Sequence, residues 1–332
     1  MRNLRCHLSV PMVSLAIVVA AAARADATCG STACFLSTRT QDGALLRHTF
    51  RFDLSYRYVD QSRKREGTSS VDEVLTPGVN FGTGELELDH HREIRTGFHV
   101  LQADASYGLT DRLSLLASVP LVSAKHHEHV VIEDGEERFT NGDGTTGFGD
   151  LQLGARYAFL PTVRDLVLLT ASVKLPTGAY KRLDTAGEIT EPTLQPGTGS
   201  TDVLGSLVFS HQLKATQGEL FLSGGYRRNG TNDLEYRLGD EAQAGVGFGR
   251  TLGRRWTGNV QVNLRHGQRD RFLGSDVPST GSTLVNVTPG LRYDSSGRLA
   301  VYAFVPVPLY QRVNEAQLTP KFGVVVGFSG RF

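Results

Sequence analysis

The last stretch of the chain, residues 320–332 (PKFGVVVGFSGRF), limits the fold more than any other. Phe322, Val324, Val326, Phe328 and Phe332 share one parity, interrupted only by Gly330. Lys321, Gly323, Gly327, Ser329 and Arg331 share the other, where Val325 is the one apolar exception. A period of two marks a strand with an apolar medium on one face and a polar one on the other. A terminal aromatic on such a strand is the pattern of an outer-membrane β-barrel, whose last strand closes against its first. A half-buried strand of a soluble sandwich is the competing reading.

The amino terminus favours the barrel. Arg2 and Arg5 precede an apolar run from Met12 to Ala23, and Ala25-Asp26-Ala27 supplies small residues for cleavage, so residues 1–27 read as a signal peptide. No later run is long and apolar enough for a membrane helix. Without the leader the count is 35 − 3 = 32 basic and 34 − 1 = 33 acidic residues, and a net −1 argues against a nucleic-acid partner. Cys29 and Cys34 then remain as a close pair, read as a disulfide in a periplasmic tail over 28–46. Residues 47–332 are expected to form one all-β transmembrane antiparallel barrel.

Alternation recurs along that whole region. Phe50, Phe52, Leu54, Tyr56 and Tyr58 oppose Arg51, Asp53, Ser55 and Arg57, the first of about twelve such segments. Turns near 109–112, 161–165, 214–218, 253–255 and 294–297 are short. The stretches 60–96, 123–147 and 178–201 read as long polar loops. Short turns at one end and long loops at the other suit a barrel with both termini in the periplasm.

Few motifs carry chemistry. Gly142 to Gly147 matches a GxGxxG string, but no strand–turn–helix context surrounds it. No cofactor is expected. Histidines gather at His90 and His91 and at His126, His127 and His129, the last three being weak metal candidates against the commoner solvated-loop reading. A barrel enzyme acting on lipid would need a serine beside a histidine on the lipid face. His99 has the parity, but its expected neighbours Tyr58, Val119 and Leu121 include no serine. The polar parity places Arg51, Asp53, Arg57, Asp104, Arg156, Lys174, Arg265, Arg292 and Lys321 in the lumen, a sum of 7 − 2 = +5. Such an excess favours anions unless loop acids pair with it. Phe332 reads as the signal for the barrel-assembly machinery, with outer-membrane lipid and a small-molecule solute as the other partners.

YGLTDRLSL at 107–115, GFGDLQLGARY at 147–157, KLPTG at 174–178, LQPGTGSTD at 194–202, TPGLRY at 288–293 and PLYQRV at 308–313 resemble an outer-membrane channel family linked to the meta-pathway of phenol degradation. The resemblance spans roughly residues 95 to 332. It implies a channel for passive uptake of hydrophobic or aromatic molecules, and it carries over no catalytic residue.

Overall fold

The computed structural model describes residues 45–332 except 134, 160–161, 163, 215–216 and 296–297. The expected signal peptide and the expected Cys29–Cys34 disulfide lie outside the described residues. Twelve antiparallel strands close into one barrel. They are β1 (Phe50–Glu66), β2 (Glu85–Gly108), β3 (Leu113–Glu133), β4 (Gln152–Ala158), β5 (Asp165–Lys174) and β6 (Asp202–Leu213). Then come β7 (Gly218–Arg228), β8 (Glu241–Thr251), β9 (Trp256–Gly267), β10 (Ser282–Asp294), β11 (Leu299–Phe304 and Val307–Val313) and β12 (Ala316–Arg331). Each strand pairs with its sequence neighbour, and β12 returns to β1, from Arg51 opposite Arg331 to Glu66 opposite Ala316. Phe50 and Phe332 exchange both backbone hydrogen bonds, at 3.0 and 2.8 Å.

Much of what reads as loop over 60–96 and 123–147 is strand. At 24 residues, β2 spans about 80 Å along its length, whereas crossing the hydrocarbon takes about 9–11 residues. Above the bilayer both faces of the wall meet water or polar loops. The period-two hydropathy therefore disappears there while the backbone ladder continues. Tyr58 and His99 face each other in register and mark the outer edge of the apolar band.

The outward parity carries exposed apolar side chains such as Tyr56, Leu115, Leu153, Val262 and Phe328. The inward face is not uniformly polar. Val59, Phe98, Leu284, Tyr302, Phe304 and Val325 form one buried cluster inside the wall. Val325, the exception in the closing strand, is 1% exposed because it belongs to this cluster. The outer connections hold a second cluster of Tyr236, Leu238, Phe272 and Val277, packed against Val79, Phe81 and Leu86.

Glycines opposite inward aromatics let the rings lie flat on the wall, as cross-strand aromatic–glycine pairs do elsewhere. Tyr302 faces Gly327, and a Cβ there would sit 2.3 Å from the Tyr302 ring. Phe304 covers Gly290 and Phe221 covers Gly247 in the same way. Lying flat, Tyr302 donates its hydroxyl to Asp53 at 2.7 Å. Gly327→Val should lift that ring, break the Asp53 bond and cost about 1–3 kcal/mol. The measure is the heat-modifiable migration of folded protein on gels. An unchanged transition temperature would show that the ring does not need the glycine.

Candidate functional site

Three of the sequence motifs meet at one buried ammonium. Lys174, at the end of β5, lies 2.8 Å from Asp150 ahead of β4 and 2.9 Å from Asp202 at the start of β6. Its Nζ also donates to the Ser200 carbonyl at 3.1 Å and to Thr198. Asp150 accepts the Gly178 N–H at 2.9 Å and the Thr198 N–H and hydroxyl at 2.9 and 2.8 Å. Two carboxylates around one cation, with their remaining lone pairs satisfied, make burial tolerable. Glycine is required beside them, since a Cβ on Gly197 would sit 2.6 Å from the Gly178 backbone.

This clasp turns residues 174–202 back into the bore. Lys125 of β3 donates to the Gln195 carbonyl, and Thr145 donates to the Leu194 carbonyl. Gln195 in turn donates to the carbonyls of Arg182 and Thr190 at 2.9 and 3.0 Å. Between the turned-in segment and the wall lies a cavity of about 100 Å3, lined by Glu93, Phe98, His127, Glu191, Leu194 and Tyr236 among others. Phe98 belongs both to this lining and to the apolar cluster inside the barrel.

The histidines sit on strands, not in loops, and the strand period separates them. His126 points outward toward His99, with ring centroids 5.4 Å apart. His127 and His129 point inward and are buried. His91 joins them from β2, 4.7 Å from His129, and His127 lies 4.3 Å from His129. Three carboxylates face these rings. Asp143 is 3.4 Å from His129, Glu93 is 3.5 Å from His127 and Glu191 is 3.5 Å from His91. This group lies outside the Tyr58–His99 belt. Burial, then the neighbouring imidazoles, pushes His91 down to about 2. Burial followed by His127 pushes His129 down to about 3. Burial pushes Glu93 up to about 7, and burial followed by Glu93 pushes Glu191 up to about 7. At neutral pH the rings are uncharged.

The strand charges are placed as follows. Arg51 and Asp53 are buried on the inner face, and Asp104 is the register partner of Asp53. Arg57 has inward parity and is half-buried, and Arg156 donates to Thr170 at 3.3 Å. Arg265 binds Glu241 at 2.8 Å and Arg292 binds Asp294 at 2.8 Å. Lys321 is exposed, skipped by a bulge at which Asp60 and Gln61 pair with Phe322 and Pro320. Leaving out Lys321 and counting Asp150, Asp202, Glu241 and Asp294 beside the other cations reduces the excess from +5 to 5 − 1 − 4 = 0. Asp150 and Asp202 sat in plain view within the motifs. Glu93 went unnoticed in a stretch that reads as loop, where the parity of His91 could not be assigned either.

His99 is hydrogen-bonded to Tyr56 at 2.7 Å and stacks on Tyr58. Its register partner on β3 is Ala124, rather than Val119 or Leu121, in a register that a bulge between Leu101 and Gln102 shifts by one residue.

Residues 60–309 match the family described as "Putative MetA-pathway of phenol degradation". No curated protein matches the sequence. Among solved structures the chain is similar to an outer-membrane channel from Pseudomonas putida F1, at 15% identity and a TM-score of 0.59, over 87% of this chain and 97% of the channel. At that identity the likeness concerns the fold alone. A Pseudomonas aeruginosa FadL homologue has 13% identity and a TM-score of 0.42, over 87% and 91% of the two chains. The Pseudomonas putida toluene transporter has 13% and 0.42, over 85% and 89%. Neither of these two bears on the solute.

Replacing Lys174 by Met would leave Asp150 and Asp202 buried without a cation, a loss of about 3–5 kcal/mol. The urea midpoint of the liposome-embedded barrel should fall accordingly. Asp150→Asn together with Asp202→Asn should recover part of the loss in the Met background. An unmoved midpoint would show that the clasp does not hold the fold.

Proposed function

Because the chain belongs to the phenol-degradation family that its residues 60–309 match, we propose that it is a passive outer-membrane channel for small apolar molecules, aromatic ones among them. The carrying observation is the continuity through Phe98. The outer cavity, bounded by polar loop segments, shares Phe98 with the apolar cluster of Val59, Leu284, Tyr302, Phe304 and Val325. A small lining that mixes apolar side chains such as Phe98, Leu194 and Leu318 with polar ones such as Glu93 and His127 suits a small, partly apolar solute and not a large hydrated one.

The near-balanced inner charges support the same reading. With Lys174, Arg265 and Arg292 held by acids, the lumen residues stabilise the wall more than they sort ions. A channel is favoured over an enzyme on lipid, since His99 is engaged by Tyr56 and faces Ala124 instead of a serine. Phe332, its ring 69% exposed at the periplasmic rim, is the proposed contact for the assembly machinery.

Vesicles with a lipopolysaccharide outer leaflet should take up phenol faster when they contain this protein, and a disaccharide no faster. Phe98→Asp should remove most of the gain in phenol per folded barrel, the uptake being normalised to the folded fraction because a carboxylate in the apolar cluster also lowers that fraction. Disaccharide influx without phenol influx would overturn the proposal.

A further inference from the structure

The inward histidines form a cluster that channel function does not use. His129 is 3% exposed, and neither of its ring nitrogens has a hydrogen-bond partner among the described residues. Nδ1 of His91 is also without a partner, while its Nε2 lies 3.0 Å from Nδ1 of His90, a contact that a bound ion would replace. Buried polar groups left unpaired are rare, and binding of an ion is one explanation. A cavity of about 50 Å3, lined by His90, His91, His129, Asp143 and Glu191 among others, lies where these rings point. An ion or water needs only about 10–15 Å3.

We propose that His91 and His129, with the carboxylates of Asp143 and Glu191, bind one divalent transition-metal ion of the zinc class at the outer end of the bore. The spacings carry this. His129 Nε2 stands 3.4 Å from Asp143 Oδ2, and His91 Nε2 stands 3.5 Å from Glu191 Oε1. Two donors each about 2.1 Å from a tetrahedral ion lie about 3.4 Å from each other. Among the described residues no three His, Cys, Asp or Glu side chains already stand as a finished cage. Binding then requires the two pairs to close on each other by ring rotation, from a starting centroid separation of 4.7 Å.

Ligand type narrows the ion. Two imidazoles and two carboxylates suit zinc and its neighbours, while calcium and magnesium prefer oxygen throughout. The carboxylate of Asp143 is itself held, by the Thr140 hydroxyl at 2.9 Å and by the Thr185 N–H and hydroxyl at 3.1 and 2.7 Å. Such outer partners orient a metal ligand. Asp143 comes from the β3–β4 connection and Glu191 from the β5–β6 connection, so the ion ties both to wall strands β2 and β3. The inference does not depend on which solute the channel passes.

The test is calorimetric titration of zinc chloride into tag-free, chelator-treated full-length barrel. One zinc per chain is expected. His129→Gln and Asp143→Asn should each weaken binding by at least about 10-fold. His126→Gln, on the outward face, should leave it unchanged. If either inward variant loses its folded gel mobility, X-ray absorption of the zinc-loaded parent protein decides, with imidazole nitrogen expected in the shell. No stoichiometric binding by the folded parent, binding that survives His129→Gln, or a shell of oxygen alone would overturn the site.

Discussion

In a bilayer no backbone N–H or C=O can be left for water, so a sheet that enters must close completely. Here that requirement is met by β12 running the length of β1, down to the reciprocal bonds between Phe50 and Phe332. Closure then decides where side chains go. One parity of each strand meets lipid, and the other is enclosed. Enclosed polar groups must satisfy one another. Arg265 with Glu241 and Tyr302 with Asp53 are the outcome.

The enclosed space is too wide for the wall alone to fill, and the outer connections fill it. Lys174 between Asp150 and Asp202 fixes the direction in which residues 174–202 leave the wall. Gly178 and Gly197 allow the chain to double back beside that clasp. The returning segment brings Glu191 and Leu194 against β2 and β3, leaving a small cavity that ends on Phe98. A cation and two glycines thus set the shape of the passage from some distance along the chain.

Lipid made most of the fold legible. Where a strand crosses the apolar band its outward parity is apolar. Strands such as β1 and β9 show the full alternation, whereas β11 carries inward Tyr302 and Phe304 beside outward Leu299 and Val301. Legibility stopped at Tyr58 and His99, because no apolar medium imposes a period on 60–66, 85–96 or 123–133. The same blindness hid the histidine pairing, since parity could not be assigned to residues read as loop. Lys321 was misplaced for another reason. A bulge changes which residue faces inward, and composition carries no sign of it. The partners of Lys174, Arg265 and Arg292 lie at strand ends or across the register, so counting strand charges alone overstated the lumen field. The motifs were legible as signatures, but only the fold shows that three of them meet at one ammonium.

The central claim is a polar-walled barrel whose outer loops leave a narrow, apolar-ended route. Single-channel recording of the full chain in a planar bilayer tests it most directly, with phenol added on the loop side. The expected result is a small steady conductance with weak ion selectivity, interrupted by brief blocks whose frequency rises with phenol concentration. Large, stable current steps that phenol leaves untouched would contradict it.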